Sequence, residues 1–312
     1  MPRRLGRCVT VLAAATLAGT TGFGIAALVR TDAAQGKGAR QADGAPAAAQ
    51  RQDVVALNAP SSFPALQGPI NVTADEIVVD NTGTQLTARG HVRLTYETGV
   101  ATANMLNLRR RERTAEFSGN AVISDPRGKA TGDHIIVAFT ASNQVGRITM
   151  DGGASAETKD YALQGDHIVA DRAAGRLVAD GHITLFTAPD LIVNGDRAIY
   201  EQAAHYGAVS GHVVASNRLG RILGDWVEFF QQKEQATIHG PVTAEVYGAT
   251  ITGGLAQIDF PKSTAVFSDH VQVTRRQGTL TADRVTIQYK TRRLIAEGTT
   301  HVHFIELEGD NP

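Results

Sequence analysis

The chain has 312 residues, with 30 basic and 31 acidic side chains and a formal net charge of −1. This balance excludes the broad basic surface typical of nucleic-acid-binding proteins. Aromatic residues make up only 5% of the chain, too few for platforms that stack bases or flat sugar rings. The single cysteine, Cys8, lies near the N-terminus, so the rest of the chain forms no disulfide within itself.

The first 30 residues have the pattern of an export signal. Three arginines within the first seven residues precede an uncharged run over 8–29, and Arg30 follows it. Such a pattern is typical of a cleaved signal peptide or of an N-terminal membrane anchor. Glycines and threonines dilute the run, which favours cleavage. Either reading places the rest of the chain outside the cytoplasm, with 8–29 as a possible tether to the inner membrane.

Two further segments flank the main domain. Residues 31–68 are rich in Ala, Gly, Gln and Pro and lack periodicity, which predicts a disordered linker. We assign residues 69–307 to one repeat domain and residues 308–312 to a C-terminal tail.

The repeat domain contains eight copies of one pattern. Each copy has a first anchor that ends a small polar triplet and a second anchor about 15 residues later. The first anchors are Asp75, Asn104, Asp133, Asp166, Asp196, Asp225, Gly254 and Asp283. The second anchors are Gly90, Gly119, Gly152, Gly181, Gly211, Gly240, Asp269 and Gly298. A period of about 29 residues is typical of array architectures, in which each unit buries its apolar face against its neighbours.

The hydrophobic period within each copy is two. From Leu86 to Tyr96 the even positions are small or apolar and the odd positions are polar, and later copies repeat this alternation. Strict alternation predicts strands with one buried face. Turn-like clusters such as 80–83 and 171–175 divide each copy into two strands, so we expect about sixteen strands and an all-β fold.

The anchors bear on how these strands are arranged. A parallel β-helix would stack the anchor aspartates about 4.8 Å apart in a column of like charge. An antiparallel meander roughly doubles that spacing and is therefore favoured, with a parallel β-helix or solenoid as the alternative. The second-anchor glycines fall on the apolar phase of their strands. They predict a bend or bulge at one depth throughout the sheet, which would curl it into a trough.

The unit TADEIVVDNTGTQLTARGHVRLTYE has the form ADxxxxD…GxVxL, and LTADRVTIQYKTRRLIAEGTTHVHF is a related unit with the same AD at the start and a glycine 15 residues after its Asp. In this form, residues 69 to about 305 resemble the OstA-like lipopolysaccharide-transport family, which includes LptA, the LptC ectodomain and the N-terminal domain of LptD. The resemblance implies an elongated half-open β-jellyroll whose apolar interior carries lipid acyl chains through the periplasm. Eight copies exceed the length of a short bridge protein, so a fused or divergent paralogue also fits.

The resemblance implies a lipid-binding trough lined by the apolar phase of the strands. The candidate residues are Leu86, Val92, Leu94, Phe117, Ile123, Leu177, Ile183, Leu185, Val209, Val213, Ile238 and Val242. In the alternative, a structural β-solenoid that serves as an envelope scaffold or adhesin, the same residues form a closed core. A carbohydrate-active β-helix is a weaker third possibility. Small inward residues such as Ala88, Ala121 and Gly207 favour the carrier, because a closed core would fill their volume.

No residue pattern indicates catalysis, a cofactor or a metal site. His91, His182, His212 and His270 follow the second anchor on the solvent phase, one to a copy, whereas a metal site needs converging ligands. The anchor aspartates also recur singly rather than in catalytic pairs. The arginine-rich run 109–113 is expected to be a solvated turn, and phosphate binding is its less favoured alternative.

The ends of an open meander are unpaired strands, here near 70–79 and 301–307. Neither has a proline in its central stretch, and the second carries apolar residues rather than lysine. We therefore expect pairing with like-folded transport proteins or head-to-tail self-association. The predicted partners are lipopolysaccharide or a related lipid and these proteins, without nucleic acid.

Overall fold

The computed structural model of the protein describes residues 70–96, 99–126, 128–158, 161–187 and 190–304. The predicted signal or anchor segment 1–30, the linker 31–68 and the tail 308–312 lie outside the described residues. Among the helices of the described ranges, none is long and apolar enough to cross a membrane.

The described residues form eighteen strands. The first nine are β1 (Asn71–Thr73), β2 (Glu76–Val79), β3 (Gln85–Tyr96), β4 (Gly99–Arg109), β5 (Thr114–Asp125), β6 (Gly128–Phe139), β7 (Val145–Thr158), β8 (Tyr161–Asp171) and β9 (Arg176–Thr187). The others are β10 (Leu191–Glu201), β11 (Tyr206–Asn217), β12 (Gly220–Phe230), β13 (Gln235–Val246), β14 (Ala249–Asp259), β15 (Thr264–Arg275), β16 (Gly278–Gln288), β17 (Arg293–Glu297) and β18 (His301–Phe304). A single 3-10 turn, Gln231–Lys233, joins β12 to β13.

All eighteen strands lie in one antiparallel sheet, and from β3 to β16 each strand pairs with the next along the chain. β1 and β2 both pair with β3, and β17 and β18 both pair with β16. Each of these couples is therefore one edge strand interrupted in its middle. If each couple is counted as one strand, the sheet is an open antiparallel meander of sixteen strands. This confirms the predicted all-β fold and rejects the parallel β-helix.

A corner crosses the sheet at one depth. The pairing register shifts between Arg89 and Val92 in β3 and at the equivalent place in the strands that follow. Gly90 and His91 both have left-handed backbone there, with φ of 73° and 45°. A residue pair of this kind inserts a bulge and turns the strand sharply. The bend that was predicted from the second-anchor glycines is therefore present at their position in the sheet.

The corner divides the sheet into two arms. The first arm ends at a first rim, formed by the turns 80–84, 110–113, 140–144, 172–175, 202–205, 231–234, 260–263 and 289–292. The second arm ends at a second rim, formed by the described residues of the connections that follow the odd-numbered strands from β3 to β15. We call the space between the two rims the mouth.

The two arms face each other and enclose one hydrophobic cluster that runs from Ala88 to Ile287. Leu106, Ile135 and Leu163 have no exposed surface at all. A single flat sheet leaves one side of its residues open to water, so such burial requires the sheet to fold over itself. The result is a half-open β-jellyroll with an apolar interior.

The turns of the first rim are stacked by backbone hydrogen bonds. The N–H of Arg110 donates to the carbonyl of Thr84 at 2.8 Å, and the N–H of Gln231 donates to that of His205 at 2.9 Å. Equivalent bonds join the remaining neighbours along this rim, as far as the N–H of Tyr289. The turns of the first rim are therefore stacked in a regular row. Their backbone groups are hydrogen-bonded to the neighbouring turns.

Candidate functional site: the interior between the arms

The structure brings all twelve predicted trough residues to the interior face. Eleven of them are buried, with exposures from 1% at Val92 to 6% at Ile123, and Leu86 packs against the cluster from a partly buried position. Phe117 and Ile238 lie on the first arm, whereas Ile183 and Val213 lie on the second. The alternation therefore placed each residue on the correct face. That the residues bind lipid stays a prediction.

The predicted trough residues leave out the interior residues of the even-numbered strands. Even-numbered strands contribute residues as deeply buried as the predicted ones, such as Leu106 on β4, Ile135 on β6 and Ile168 on β8. The predicted set followed only the strands that carry the second anchor. The same period-two alternation runs through the even strands and would have identified these residues.

Gly207, one of the small inward residues, does not leave empty volume beside it, contrary to the argument from sequence. A Cβ added to Gly207 would lie 2.6 Å from the ring of Phe229, and one on Gly165 would lie 2.9 Å from Cδ1 of Ile183. Each glycine makes room for a large side chain on a neighbouring strand. The space beside these two glycines is therefore occupied by neighbouring side chains in this state, in an interior whose residues have little exposed surface.

Contacts close the mouth near the C-terminal end of the sheet. Tyr247, on the second rim, donates its hydroxyl hydrogen to the carbonyl of Tyr289 on the first rim at 3.0 Å. The guanidinium of Arg292 lies 5.1 Å from the centre of the Tyr247 ring, within the range of a cation–π interaction. We call Tyr247, Tyr289 and Arg292 the clasp.

The hydroxyl of Tyr289 also belongs to this region. It donates to the carbonyl of Phe260 at 3.5 Å. Burial, as the main cause, raises the pKa of Tyr289 to about 12, so the hydroxyl remains a neutral donor at physiological pH. The clasp is therefore an uncharged contact apart from Arg292.

At the corner, each first anchor packs on the second anchor of the same copy. The N–H of Asp75 donates to the carbonyl of Gly90 at 2.9 Å, and the Asp75 carboxylate lies where a Cβ of Gly90 would be. The imidazole Nδ1 atoms of His91, His182 and His212 lie 2.8 Å from the carboxylates of Asp75, Asp166 and Asp196, respectively. These pairs secure the bend. The sequence had indicated only that the glycines mark a bend, not what contacts them.

The corner histidines lie on the outside of the sheet. Their side chains are 90–98% exposed at His91, His182, His212 and His270. Within the described ranges no group of three or more His, Cys, Asp or Glu residues is placed to hold a metal ion.

The arginine-rich run forms one turn of the first rim. Arg109 is at the end of β4, where it contacts Glu112 at 3.3 Å and Glu116 at 3.4 Å. Arg110, Arg111 and Arg113 are exposed. The run is a solvated turn, as expected, and it borders the mouth.

Comparison with known proteins identifies two stretches of the chain. Residues 64–144 and 250–311 match the family described as LptA/(LptD N-terminal domain) LPS transport protein. A similar solved structure is LptH from Pseudomonas aeruginosa, the LptA homologous periplasmic component of a lipopolysaccharide transport device. It shares 17% identity with a TM-score of 0.28, over 44% of this chain and 80% of that one. No curated protein matches the chain. The family match, at both ends of the repeat region, confirms the resemblance drawn from the repeated pattern.

Proposed function

We propose that the chain, of which residues 64–144 and 250–311 match the LptA/(LptD N-terminal domain) LPS transport protein family, is a periplasmic lipid carrier or bridge. It takes part in lipopolysaccharide transport and outer-membrane assembly. It holds the acyl chains of lipopolysaccharide or a related lipid between its two arms. The protein chain acts by shielding rather than by catalysis.

One observation carries this proposal: the apolar interior runs uninterrupted from the first copy to the last. A single hydrophobic cluster joins residues from Ala88 on β3 to Ile287 on β16. An acyl chain removed from water gains about 25 cal/mol for each Å² of apolar surface. A continuous interior offers that gain at every position along the sheet, as transfer along a path requires.

The filled interior bears on how lipid enters. Since the side chains already pack against each other, an acyl chain must move the arms apart and replace apolar contacts with other apolar contacts. That exchange has a small net free energy, because both arrangements keep water away from the side chains. The proposal therefore includes an opening of the mouth between the rims.

A structural envelope scaffold is the second candidate. It is favoured by the same near-zero exposure of interior residues, since a scaffold needs a closed core and no ligand. The two candidates differ in one property, which is whether lipid reaches the interior.

Paired positions on β11 test this difference. Val213 points into the interior with 2% exposure, and Val214, the next residue, lies on the opposite face of the strand. A photo-crosslinking amino acid at 213 should capture lipid in cells, identified by mass spectrometry, and one at 214 should not. Capture from neither position, in folded protein, would favour the scaffold.

A charge substitution supplies the complementary experiment. Val213→Arg places an unpaired cation in the interior and should remove lipid capture while the β-sheet circular dichroism remains. Val214→Arg is the matched control and should leave lipid capture unchanged. A folded Val213→Arg variant that captures lipid as well as the wild type would reject the interior as the binding site.

Like-folded partners are part of the proposal. The sheet ends in open edges at β1–β2 and β17–β18, where another sheet can pair by β-augmentation. Eight strand pairs at about 9.6 Å each span roughly 75–80 Å. One or two molecules joined through these edges cover a large part of the periplasmic gap.

A further inference from the structure

Basic residues are concentrated on the first rim. Its eight turns contain Arg110, Arg111, Arg113, Arg172, Lys233, Lys262, Lys290 and Arg292. They contain three acidic residues, Asp80, Glu112 and Glu234. The rim therefore has a net charge of +5 within a chain whose net charge is −1.

The second rim does not share this bias. The described residues of its connections contain two basic residues, Arg218 and Arg276, and one acidic residue, Asp190, a net charge of +1. A random distribution of solubilising charge has no reason to separate the two sides of the mouth. The difference between the rims therefore points to a ligand that approaches the mouth with one charged end.

The cations of the first rim lie beside the interior. Lys262 is exposed although its neighbours Phe260 and Ser263 are buried, at 9% and 3% exposure. Lys290 follows Tyr289, which packs against the hydrophobic cluster. Successive turns are two strands apart, about 9.6 Å. Five of the eight turns carry Lys or Arg, whereas 80–84, 140–144 and 202–205 carry none, so the cations lie beside the apolar interior at spacings of about 10–20 Å.

The cations differ in how far they are already engaged. Lys262 contacts Asp259 at 2.8 Å, Lys233 lies over the ring of Phe230, and Arg292 belongs to the clasp. By contrast, Arg111 and Arg113 have no ion-pair partner among the described residues. Among the described residues, the guanidinium of Arg110 makes one long contact, 3.5 Å, with the carbonyl of Gly83. The turn 110–113 is therefore the part of the rim best able to bind an anion.

We propose that the first rim is a headgroup site, which binds the phosphate groups of an anionic amphiphile while its acyl chains occupy the interior. The inference rests on the proposed function and adds the headgroup chemistry to it. Guanidinium groups bind phosphate oxygens through paired, charge-assisted hydrogen bonds. Because the three neighbouring turns 231–234, 260–263 and 289–292 each carry a cation, a phosphate can pass between them while the acyl chains stay shielded.

Two probes with the same labelled acyl chain test the proposal: a lysophosphatidic acid and an uncharged monoacylglycerol. Binding of each is measured by fluorescence to wild-type protein and to Arg110→Gln/Arg111→Gln. The matched control is Arg275→Gln/Arg276→Gln, which removes two exposed arginines at the end of β15 and the second rim. Circular dichroism confirms that each variant is folded.

We expect wild-type protein to prefer the phosphate probe. The first-rim variant should lose on the order of fivefold affinity for it, since each exposed charge pair contributes modestly in water. The control should lose less than about twofold, and the monoacylglycerol should bind all three proteins equally.

Three outcomes would overturn the headgroup site. They are equal binding of both probes by wild type, an equal loss in the control variant, and displacement of the phosphate probe by millimolar inorganic phosphate as readily as by unlabelled lysophosphatidic acid. The last result would identify free phosphate as the ligand. Absence of binding by the monoacylglycerol would instead count against the interior, and so against the proposed function itself.

Discussion

Gly254 and Asp269 have exchanged the places that aspartate and glycine take elsewhere along the corner. In the fourth copy, the carboxylate of Asp166 lies where a Cβ of Gly181 would be. In the seventh copy the first anchor is the glycine, and a Cβ on Gly254 would overlap the carboxylate of Asp269. The corner therefore needs one carboxylate packed on one glycine, and either strand can supply either residue.

This exchange predicts compensation between the two positions. Gly254→Asp alone should lower the free energy of unfolding by about 2–3 kcal/mol, because two carboxylates meet in a space built for one. The double variant Gly254→Asp/Asp269→Gly restores the order seen in the other copies and should recover to within about 1 kcal/mol of wild type. Urea denaturation measures all of these values. If the double variant were as unstable as the sum of its single variants, the corner pair would not be the unit of stability.

The positions of the strands, and the face of the sheet on which each side chain lies, were predictable because both depend on local sequence alone. The alternation from Leu86 to Tyr96 assigns each side chain to a face, and Gly90 marks the bulge. The contact of Gly90 with Asp75 was not predictable in this way, since it depends on the register between neighbouring strands. The pairing of Tyr247 with Tyr289 depends further on how the whole sheet folds over. Space above Gly207 was predicted where the ring of Phe229 lies, because a small residue does not reveal what packs on it.

The pair of His182 and Asp166 predicts a pH effect at the corner. The hydrogen bond and charge of Asp166, with a smaller contribution from Asp196, raise the pKa of His182 above its usual 6.5. A raised pKa stabilises the fold fully below pH 6.5, and this stabilisation is lost as pH rises through the folded-state pKa. We expect the NMR titration of His182 to have its midpoint above 6.5.

Asp166→Asn tests the cause of that shift. Asparagine occupies the same place at Asn104, so the substitution removes the charge and keeps the shape. The titration midpoint of His182 should move down towards 6.5, and the urea midpoint should change less between pH 6 and pH 8 than in wild type. An unchanged titration of His182 would mean that Asp166 does not control it.

We expect Tyr247→Phe to weaken the contact between the two rims at the mouth. The substitution removes the hydrogen bond to the Tyr289 carbonyl and keeps the ring beside Arg292. Stability should fall by about 1 kcal/mol, and amide exchange should accelerate in the turn 289–292, since local opening is easier once the rims are less firmly joined. Hydrogen–deuterium exchange with mass spectrometry resolves this turn. Tyr206→Phe is the control, because its hydroxyl donates to Glu228 at 3.4 Å on the outer face, and it should leave that turn unaffected.

The two edges of the sheet predict how molecules join. On β2, Ile77, Val78 and Val79 are 43–54% exposed, and on β18 Val302 and Phe304 are 51% and 78% exposed. Exposed apolar strands at an open edge are templates for another chain. Site-specific crosslinking from positions 72 and 302 in cells should give adducts, whereas the buried position 183 should give none with protein.

Complementation distinguishes head-to-tail self-association from pairing between like edges. Val78→Lys and Phe304→Lys place a charge on the first and the last edge, respectively, and each variant alone should be monomeric by analytical ultracentrifugation. Mixed together, they should form a dimer and nothing larger, because one intact first edge and one intact last edge remain. Dimers of either single variant would indicate like-edge pairing and contradict the head-to-tail model. If wild-type protein itself stayed monomeric while crosslinks appeared in cells, the edges would serve a different like-folded partner.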